Sequence, residues 1–332
     1  MNLQRRIDLL TGLGEWMQSN DPAWLEAKKK ATAENPWFIP EFIEQAIKNI
    51  VESFLQKNIL ENWSRKYQVP KDQPNPKNIG IVMAGNIPLV GFHDLLASFI
   101  SGHKSIVKPS SKDSALIKQL VDSLKSREPA INDLVQFPDL LKNCDAYIAT
   151  GSNNTSRYFE YYFSKYPHII RKNKTSVALL TGNETMTELE NLADDVYQFF
   201  GLGCRNVTKI FVPENYDFVP LLAAFKKYNW LSDHHKYKNN FDYNLAIQLL
   251  NKKFYMTNGS ILLVENASFF SPISQLNYEY YADESAVLSA LEDHPELQAI
   301  VSTRHIPFGQ AQCPSITDYA DKLDTLSFLL SI

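Results

Sequence analysis

Apolar side chains recur at three- and four-residue spacing through the first 66 residues, as in Phe42, Ala46, Ile50 and Phe54. That spacing is the stripe of an amphipathic helix, and it predicts helices over 3–18, 22–32 and 39–66. The stretch Gln68-Val69-Pro70-Lys71-Asp72-Gln73-Pro74-Asn75-Pro76-Lys77 then puts three prolines in seven positions, the composition of a linker or an exposed crossing loop. Beyond it the period changes. Short apolar strands are expected at 79–83, 105–108 and 146–149, alternating with helices at 88–101, 114–125 and 155–165. Strand–helix alternation of this kind predicts a parallel sheet with helices on its faces. A second round starts at Ser176, with strands at 177–180, 208–213, 261–264 and 299–302. Its helices fall at 186–200, from Phe218, and at 284–291. The chain carries no internal repeat and no low-complexity tract.

Composition narrows the class. At 332 residues the chain is long enough for two domains with large cores, and 44% hydrophobic with 21% charged residues is ordinary for a globular protein. A net charge of −4 leaves no broad basic face for nucleic acid, and basic runs such as Lys28-Lys29-Lys30 read as solvated helix faces. No apolar run approaches the ~20 residues of a membrane span, and the start lacks the apolar core of a secretory signal. Three widely spaced cysteines, Cys144, Cys204 and Cys313, fit neither a disulfide framework nor a zinc site. The expectation is a cytoplasmic protein with reduced thiols and no metal.

Candidate chemistry centres on Cys204. In Phe199-Phe200-Gly201-Leu202-Gly203-Cys204-Arg205-Asn206 a helical run ends in two glycines, the cysteine follows, and a strand starts four residues later. Glycines leave room beside the thiol and a short turn fixes its direction, as a reactive cysteine requires. A buried structural cysteine beside two phenylalanines is the plainer alternative. Three loops at predicted strand ends combine small residues with hydrogen-bonding side chains: Ala84-Gly85-Asn86-Ile87-Pro88, Lys108-Pro109-Ser110-Ser111-Lys112 and Thr150-Gly151-Ser152-Asn153-Asn154. Ligands of parallel sheets bind at such ends. None of the loops is a glycine fingerprint or a P-loop, and each alone also fits a plain strand-to-helix turn. His234-His235-Lys236-Tyr237-Lys238 has no partner cluster for a metal and reads as a solvated loop.

From about Asn78 onward these motifs, in their order and spacing, resemble the aldehyde dehydrogenase superfamily. The closest branch is the LuxC-type fatty acyl-CoA reductases, which make aldehydes from activated acyl groups. Gly85-Asn86-Ile87-Pro88-Leu89 resembles the family's Trp-Asn-Phe-Pro-Leu loop, whose asparagine holds the oxyanion, and this implicates Asn86. Ser105-Ile106-Val107-Lys108-Pro109-Ser110 resembles the strand and Lys-Pro turn at the adenosine ribose, implicating Lys108, Ser110 and Ser111. Thr150-Gly151-Ser152 resembles the turn beside the cofactor pyrophosphate. Phe200-Gly201-Leu202-Gly203-Cys204 with Phe211-Val212 is similar to the nucleophile segment. Phe270-Ser271-Pro272-Ile273 is similar to the turn whose phenylalanine packs on the nicotinamide ribose, and Pro307-Phe308-Gly309 to the closing Pro-Phe-Gly.

The resemblance implies an α/β, aldehyde-dehydrogenase-like fold: a Rossmann-type parallel-sheet cofactor domain and an α/β catalytic domain. The expected division is N-terminal helices and cofactor domain at 1–175, catalytic domain at 176–310, and a segment 311–332 returning to the core or to an oligomer interface. It further implies reduction of an acyl thioester, on CoA or an acyl-carrier protein, to an aldehyde through an acyl-Cys204 intermediate. Departures from the family pattern bear on this. Hydrolytic members activate water with a glutamate in a Glu-Leu-Gly-Gly-Lys segment; here the stretch is His168-Ile169-Ile170-Arg171-Lys172-Asn173-Lys174-Thr175, and no Asp or Glu occurs between Glu160 and Glu184. Ser268 replaces a ribose-binding glutamate and Ser156 a glycine. NADPH is expected over NADH, because Ser111 stands where NAD-preferring relatives carry glutamate; Ser111 as a helix N-cap is the other reading. The Pro70–Pro76 segment is short for the family's oligomerisation hairpin, which leaves a possible homodimer. Alternatives are a reductase of acyl phosphates, a catalytically idle nucleotide-binding or assembly protein on the same fold, or a cysteine hydrolase using His234 or His235.

Overall fold

The computed structural model describes all residues, 1–332. The chain folds into two compact units, Met1–Asn173 with Pro314–Ile332, and Lys174–Cys313. The first begins with helices α1 (Leu3–Met17), α2 (Pro22–Glu34), α3 (Pro40–Phe54) and α4 (Lys57–Lys66). Prolines in the first turns of α2 and α3 fit helix entry, where the missing N–H costs nothing. The stripe Phe42, Ala46, Ile50 and Phe54 is buried as its spacing predicts. The single helix expected over 39–66 is instead two. Gln56 leaves helical geometry at φ −72, ψ 134, and its side-chain amide donates to the Val51 carbonyl at 2.9 Å, capping α3. Apolar periodicity resumes at once with Leu60 and Trp63, so the break leaves no mark in the pattern.

A five-stranded parallel sheet follows, in the order β3-β2-β1-β4-β5. Its strands are β1 (Asn78–Val82), β2 (Lys104–Lys108), β3 (Val135–Gln136), β4 (Ala146–Thr150) and β5 (His168–Arg171). Helices α5 (Phe92–Ser101), α6 (Ala115–Arg127), α7 (Ile131–Leu134) and α8 (Asn153–Phe163) supply the crossovers. Strand β1 is central, with β2 on one side and β4 on the other, so the order reverses there. That is where an open α/β sheet leaves a crevice for ligands.

The last residues return to this unit. His103 accepts from the Lys77 N–H at 3.1 Å and, as its other ring nitrogen's partner, has the Leu329 carbonyl at 2.9 Å. His93 stacks between Phe54 and Tyr319, at 4.8 and 5.1 Å. Arg171 at the end of β5 pairs with Asp94 of α5 at 2.5 Å, both buried, and also donates to Thr325 at 2.7 Å in the C-terminal helix (Thr325–Leu330).

The second unit is built on a six-stranded sheet in the order β11-β6-β7-β10-β9-β8, parallel except for β8. The strands are β6 (Thr175–Leu179), β7 (Val207–Pro213), β8 (Met256–Thr257), β9 (Leu262–Glu265), β10 (Gln275–Tyr281) and β11 (Leu297–Val301). Its helices are α9 (Met186–Tyr197), opened by a Thr185–Glu188 capping box, α10 (Phe218–Ala224), α11 (His235–Leu250) and α12 (Glu284–Leu291). The expected solvated loop at His234–Lys238 is the start of α11. His234 is its N-cap, accepting from the Tyr237 N–H, and the buried Tyr237 hydroxyl donates to the Ser260 carbonyl at 2.9 Å.

Burial of His103 pushes its pKa below the ordinary 6.5, so the folded state favours the neutral ring. Its contribution to stability is present above pH 6.5 and lost as pH falls below it. The difference in urea stability between the native protein and His103→Ala is therefore expected to narrow between about pH 7.5 and about pH 5.5. A difference that stays constant or widens on acidification would contradict this.

Candidate active site

In the first unit, three turns follow β2, β1 and β4 at the carboxyl edge of the sheet. Gly85 is pressed against Ser110: a Cβ at Gly85 would lie 2.5 Å from the serine Oγ, so only glycine lets these two turns touch. Four residues on, Leu89 takes a left-handed conformation (φ 57) and donates its N–H to Asp113 Oδ2 at 2.7 Å. Asn86 sits on the exposed crest between these two anchors. Asp113 is buried, which pushes its carboxyl up to about 7 against the lowering effect of the Leu89 hydrogen bond; its Oδ1 has no partner.

The Ser110 hydroxyl accepts from the Lys112 N–H at 3.2 Å, and Lys108, Ser111 and Lys112 are exposed. The N-cap of α6 is Ser114, so capping does not fall on Ser111. Thr150 closes β4, and Ser152 caps α8 by accepting from the Thr155 N–H at 3.3 Å. Gly151 packs close to Phe159, 2.9 Å from where its Cβ would be. Ser156, standing where the family pattern has glycine, is buried and bonds the Asn153 carbonyl at 2.9 Å. The edge thus presents lysine and serine donors, while the Asp113 carboxyl is buried against the Leu89 N–H. That donor set fits the ribose and phosphate groups of a nicotinamide dinucleotide.

In the second unit, α9 runs into a tight 3₁₀ turn, Gln198–Gly201. Phe199 (φ 53), Phe200 (φ 57) and Gly201 (φ 74) are all left-handed. For the two phenylalanines this costs on the order of 1–2 kcal/mol each. Burial of both rings, and the tilted packing of Phe200 against His234 at 4.6 Å, hold the conformation. Cys204 follows and is partly exposed, whereas Cys144 is buried with its thiol pushed up by desolvation. Arg205 is buried rather than solvated.

Residues that sequence reasoning passed over organise this turn. Asn206 is fully buried; its Oδ1 accepts from the Gly203 N–H at 2.8 Å, and its amide donates to the carbonyls of Asp195, Val196 and Gln198. Asp195, also fully buried, accepts from Gly309 and Ala311 N–H at 2.7 and 2.9 Å and so fixes the Pro307–Gly309 turn. Desolvation pushes its carboxyl up to about 7 despite both bonds. The available signal was phase: Asp195 lies on the same face of α9 as the buried Leu192 and Val196.

Phe270 is partly exposed on a loop pinned from beneath. Lys209, fully buried on β7, donates to the Ala267 carbonyl at 2.7 Å and to Glu279 at 2.5 Å. Thr208 bonds the Phe269 carbonyl at 2.6 Å, and Asn277 those of Ser268 and Phe270 at 2.9 and 3.1 Å. A lysine in the middle of an apolar strand was the sequence signal for this arrangement.

Solved structures share the fold across most of the chain. An aldehyde dehydrogenase from Bacillus cereus matches with a TM-score of 0.70 at 13% identity, covering 92% of this chain and 73% of the other. An NADP dependent enzyme from E. coli gives 0.67 at 12% identity, and a Mycobacterium tuberculosis aldehyde dehydrogenase complexed with NAD+ gives 0.64 at 11%; each covers 91% of this chain and 73% of its own. No curated protein matches the sequence significantly. The family model for acyl-CoA reductase (LuxC) matches residues 27–221, more than half of the chain, and spans both the Asn86 loop and the Cys204 turn. The chain therefore belongs to the acyl-CoA reductase (LuxC) family and is an aldehyde-forming oxidoreductase with an aldehyde-dehydrogenase-like fold.

Proposed function

We propose that the protein reduces an acyl thioester, carried by CoA or an acyl-carrier protein, to an aldehyde, with Cys204 as nucleophile and NADPH as reductant. The observation that carries this reading is the Cys204 turn: a partly exposed thiol on a strained backbone, fixed by buried hydrogen bonds. Strain kept at such a cost marks a functional turn more often than a structural one.

The Cys204 thiolate attacks the thioester carbon, the carbon–sulfur bond to the carrier breaks, and the carrier leaves as its thiol. Asn86 donates to the oxyanion of the tetrahedral intermediate. A bound nicotinamide supplies the hydride. Once the acyl carbon is reduced, the thiohemiacetal collapses to aldehyde and returns the Cys204 thiol. If such a cofactor binds, Lys108, Ser110 and Ser111 would hold its adenosine ribose, Thr150, Gly151 and Ser152 would serve its pyrophosphate, and Phe270 would serve its nicotinamide end. No Asp or Glu lies between Glu160 and Glu184 to activate water, which protects the acyl-enzyme from hydrolysis. The arrangement favours a reductase over a hydrolytic dehydrogenase. A homodimer is consistent with this reading.

Cys204→Ala is expected to abolish both acyl-adduct formation, read by intact mass, and aldehyde production, while the circular dichroism spectrum is unchanged. Undiminished reduction in that variant would refute the mechanism.

For Asn86→Ala, kcat is expected to fall by about 100-fold or more with a smaller change in KM, the pattern of a lost oxyanion donor. Weakened substrate binding at unchanged kcat would remove Asn86 from this role.

Selection of NADPH is assigned to Ser111, whose hydroxyl and neighbouring lysines accept a 2′-phosphate that a carboxylate would repel. Ser111→Glu is expected to shift the ratio of kcat/KM for NADPH over NADH toward NADH by at least about tenfold. An unmoved ratio, or a native preference for NADH, overturns the assignment.

A further inference from the structure

Resting on the reading of Cys204 as nucleophile, we propose that Asn206 and Ser176 are positioning residues for acyl transfer, fixing the two peptide groups that flank the thiol. Asn206 grips Gly203 from both sides: its backbone N–H donates to the Gly203 carbonyl at 3.1 Å, and its Oδ1 accepts from the Gly203 N–H at 2.8 Å. The first of these bonds sets the plane of the Gly203–Cys204 peptide. All peptides in the chain are trans, so the Cys204 N–H points opposite to the Gly203 carbonyl, away from Asn206 and out of the turn. Asn206 thereby sets the direction of the backbone donor that belongs to the nucleophile itself.

The peptide on the other side of Cys204 is held by Ser176. This residue is fully buried on β6, and its hydroxyl donates to the Cys204 carbonyl at 3.1 Å. Its own N–H donates to the Asn206 carbonyl at 3.1 Å, so the two residues are also bonded to each other. Cys204 therefore hangs between two peptide planes, each tied to the sheet. The Asn206 amide extends the same network to the last carbonyls of α9.

A residue that served only to cap α9 would need the bonds from the Asn206 amide to those carbonyls. It would need neither the grip on Gly203 nor the link through Ser176 to the carbonyl of Cys204. Both act on the cysteine. Nucleophilic attack tolerates little misplacement: an error of about 1 Å costs on the order of 100-fold in rate.

The test uses the purified full-length protein and its Asn206→Ala, Ser176→Ala and Cys204→Ala variants. Single-turnover acylation is followed by intact mass with a panel of acyl-CoAs of increasing chain length, alongside the pH dependence of Cys204 alkylation by iodoacetamide and the thermal midpoint. Asn206→Ala is expected to slow acylation by about 100-fold and Ser176→Ala by about 10-fold, each with the cofactor KM within about twofold of the native value. The alkylation profile should move along the pH axis in both. Acylation within about threefold of native in Ser176→Ala, and in Asn206→Ala where it folds, overturns the proposal whatever happens to the thermal midpoint. Should Asn206→Ala not fold, Ser176→Ala decides alone. An adduct that persists in Cys204→Ala would instead overturn the nucleophile assignment on which this inference rests.

Discussion

The buried side-chain amide of Asn206 is the interaction on which the second unit's site depends. Where α9 ends, its last carbonyls lose their helical partners and must find others or carry the cost of burial, about 1–3 kcal/mol for each unmatched group. A single amide meets three of those carbonyls and still has its oxygen for Gly203. The backbone can therefore pass through Phe199, Phe200 and Gly201 in left-handed geometry and emerge at the cysteine without stranding polar groups. The same helix end carries Asp195, whose carboxylate holds the Pro307–Gly309 turn while its carbonyl receives the Asn206 amide. Two turns distant in sequence are thus fixed to one helix terminus by two adjacent hydrogen-bonding groups of one residue.

A parallel logic operates in the first unit, where the constraint is closeness rather than polarity. Gly85 against Ser110 leaves no space for a methyl group, and Asp113 reaches back to the Leu89 N–H. The exposed crest with Asn86 is held at both shoulders, so it can present a polar side chain without being mobile. The buried pair Arg171–Asp94 ties the end of β5 to α5, the helix that follows this crest. Pairs of this kind contribute little net stability compared with apolar packing, but breaking one leaves an uncompensated charge, so they enforce one arrangement over others.

Much of this was legible in the sequence, and the failures have specific causes. The alternation of strands and helices gave the central strand of the first sheet and the interior strands β6 and β7 of the second, because Ile79, Ile81 and Val177 to Leu180 lie in apolar runs and Ile210 to Val212 in another. Strand β10 was not visible: Gln275 and Asn277 face the interior, so its buried side is partly polar and reads as a loop. Helix α11 was hidden for the opposite reason, since Tyr243, Leu249 and Leu250 are exposed and blur its apolar stripe. The loops that carry Asn86, Lys108 and Thr150, and the turn that carries Cys204, could be placed between their strands and helices because such loops have compact local signatures. The residues that hold those loops could not, since Asn206, Asp195, Lys209 and Asn277 act through contacts that no short motif encodes.

The placement of these residues follows from what the chemistry asks of a fold. An ordinary interior strand gains most from apolar side chains, and polar ones at Lys209, Asn277 and Gln275 forgo that gain. They are tolerated because each is matched: Lys209 by Ala267 and Glu279 and by the faces of Phe211 and Phe269, Asn277 by the carbonyls of the Phe270 loop. What is obtained in exchange is a loop and a turn that hold one geometry. The covalent acyl transfer proposed for Cys204 would need that more than it needs stability, because the barrier of such a step rises steeply when nucleophile and donors drift. Local conflict between polar side chains and buried strands is therefore concentrated beneath the Cys204 turn and the Phe270 loop, while the sheet of the first unit keeps an apolar centre.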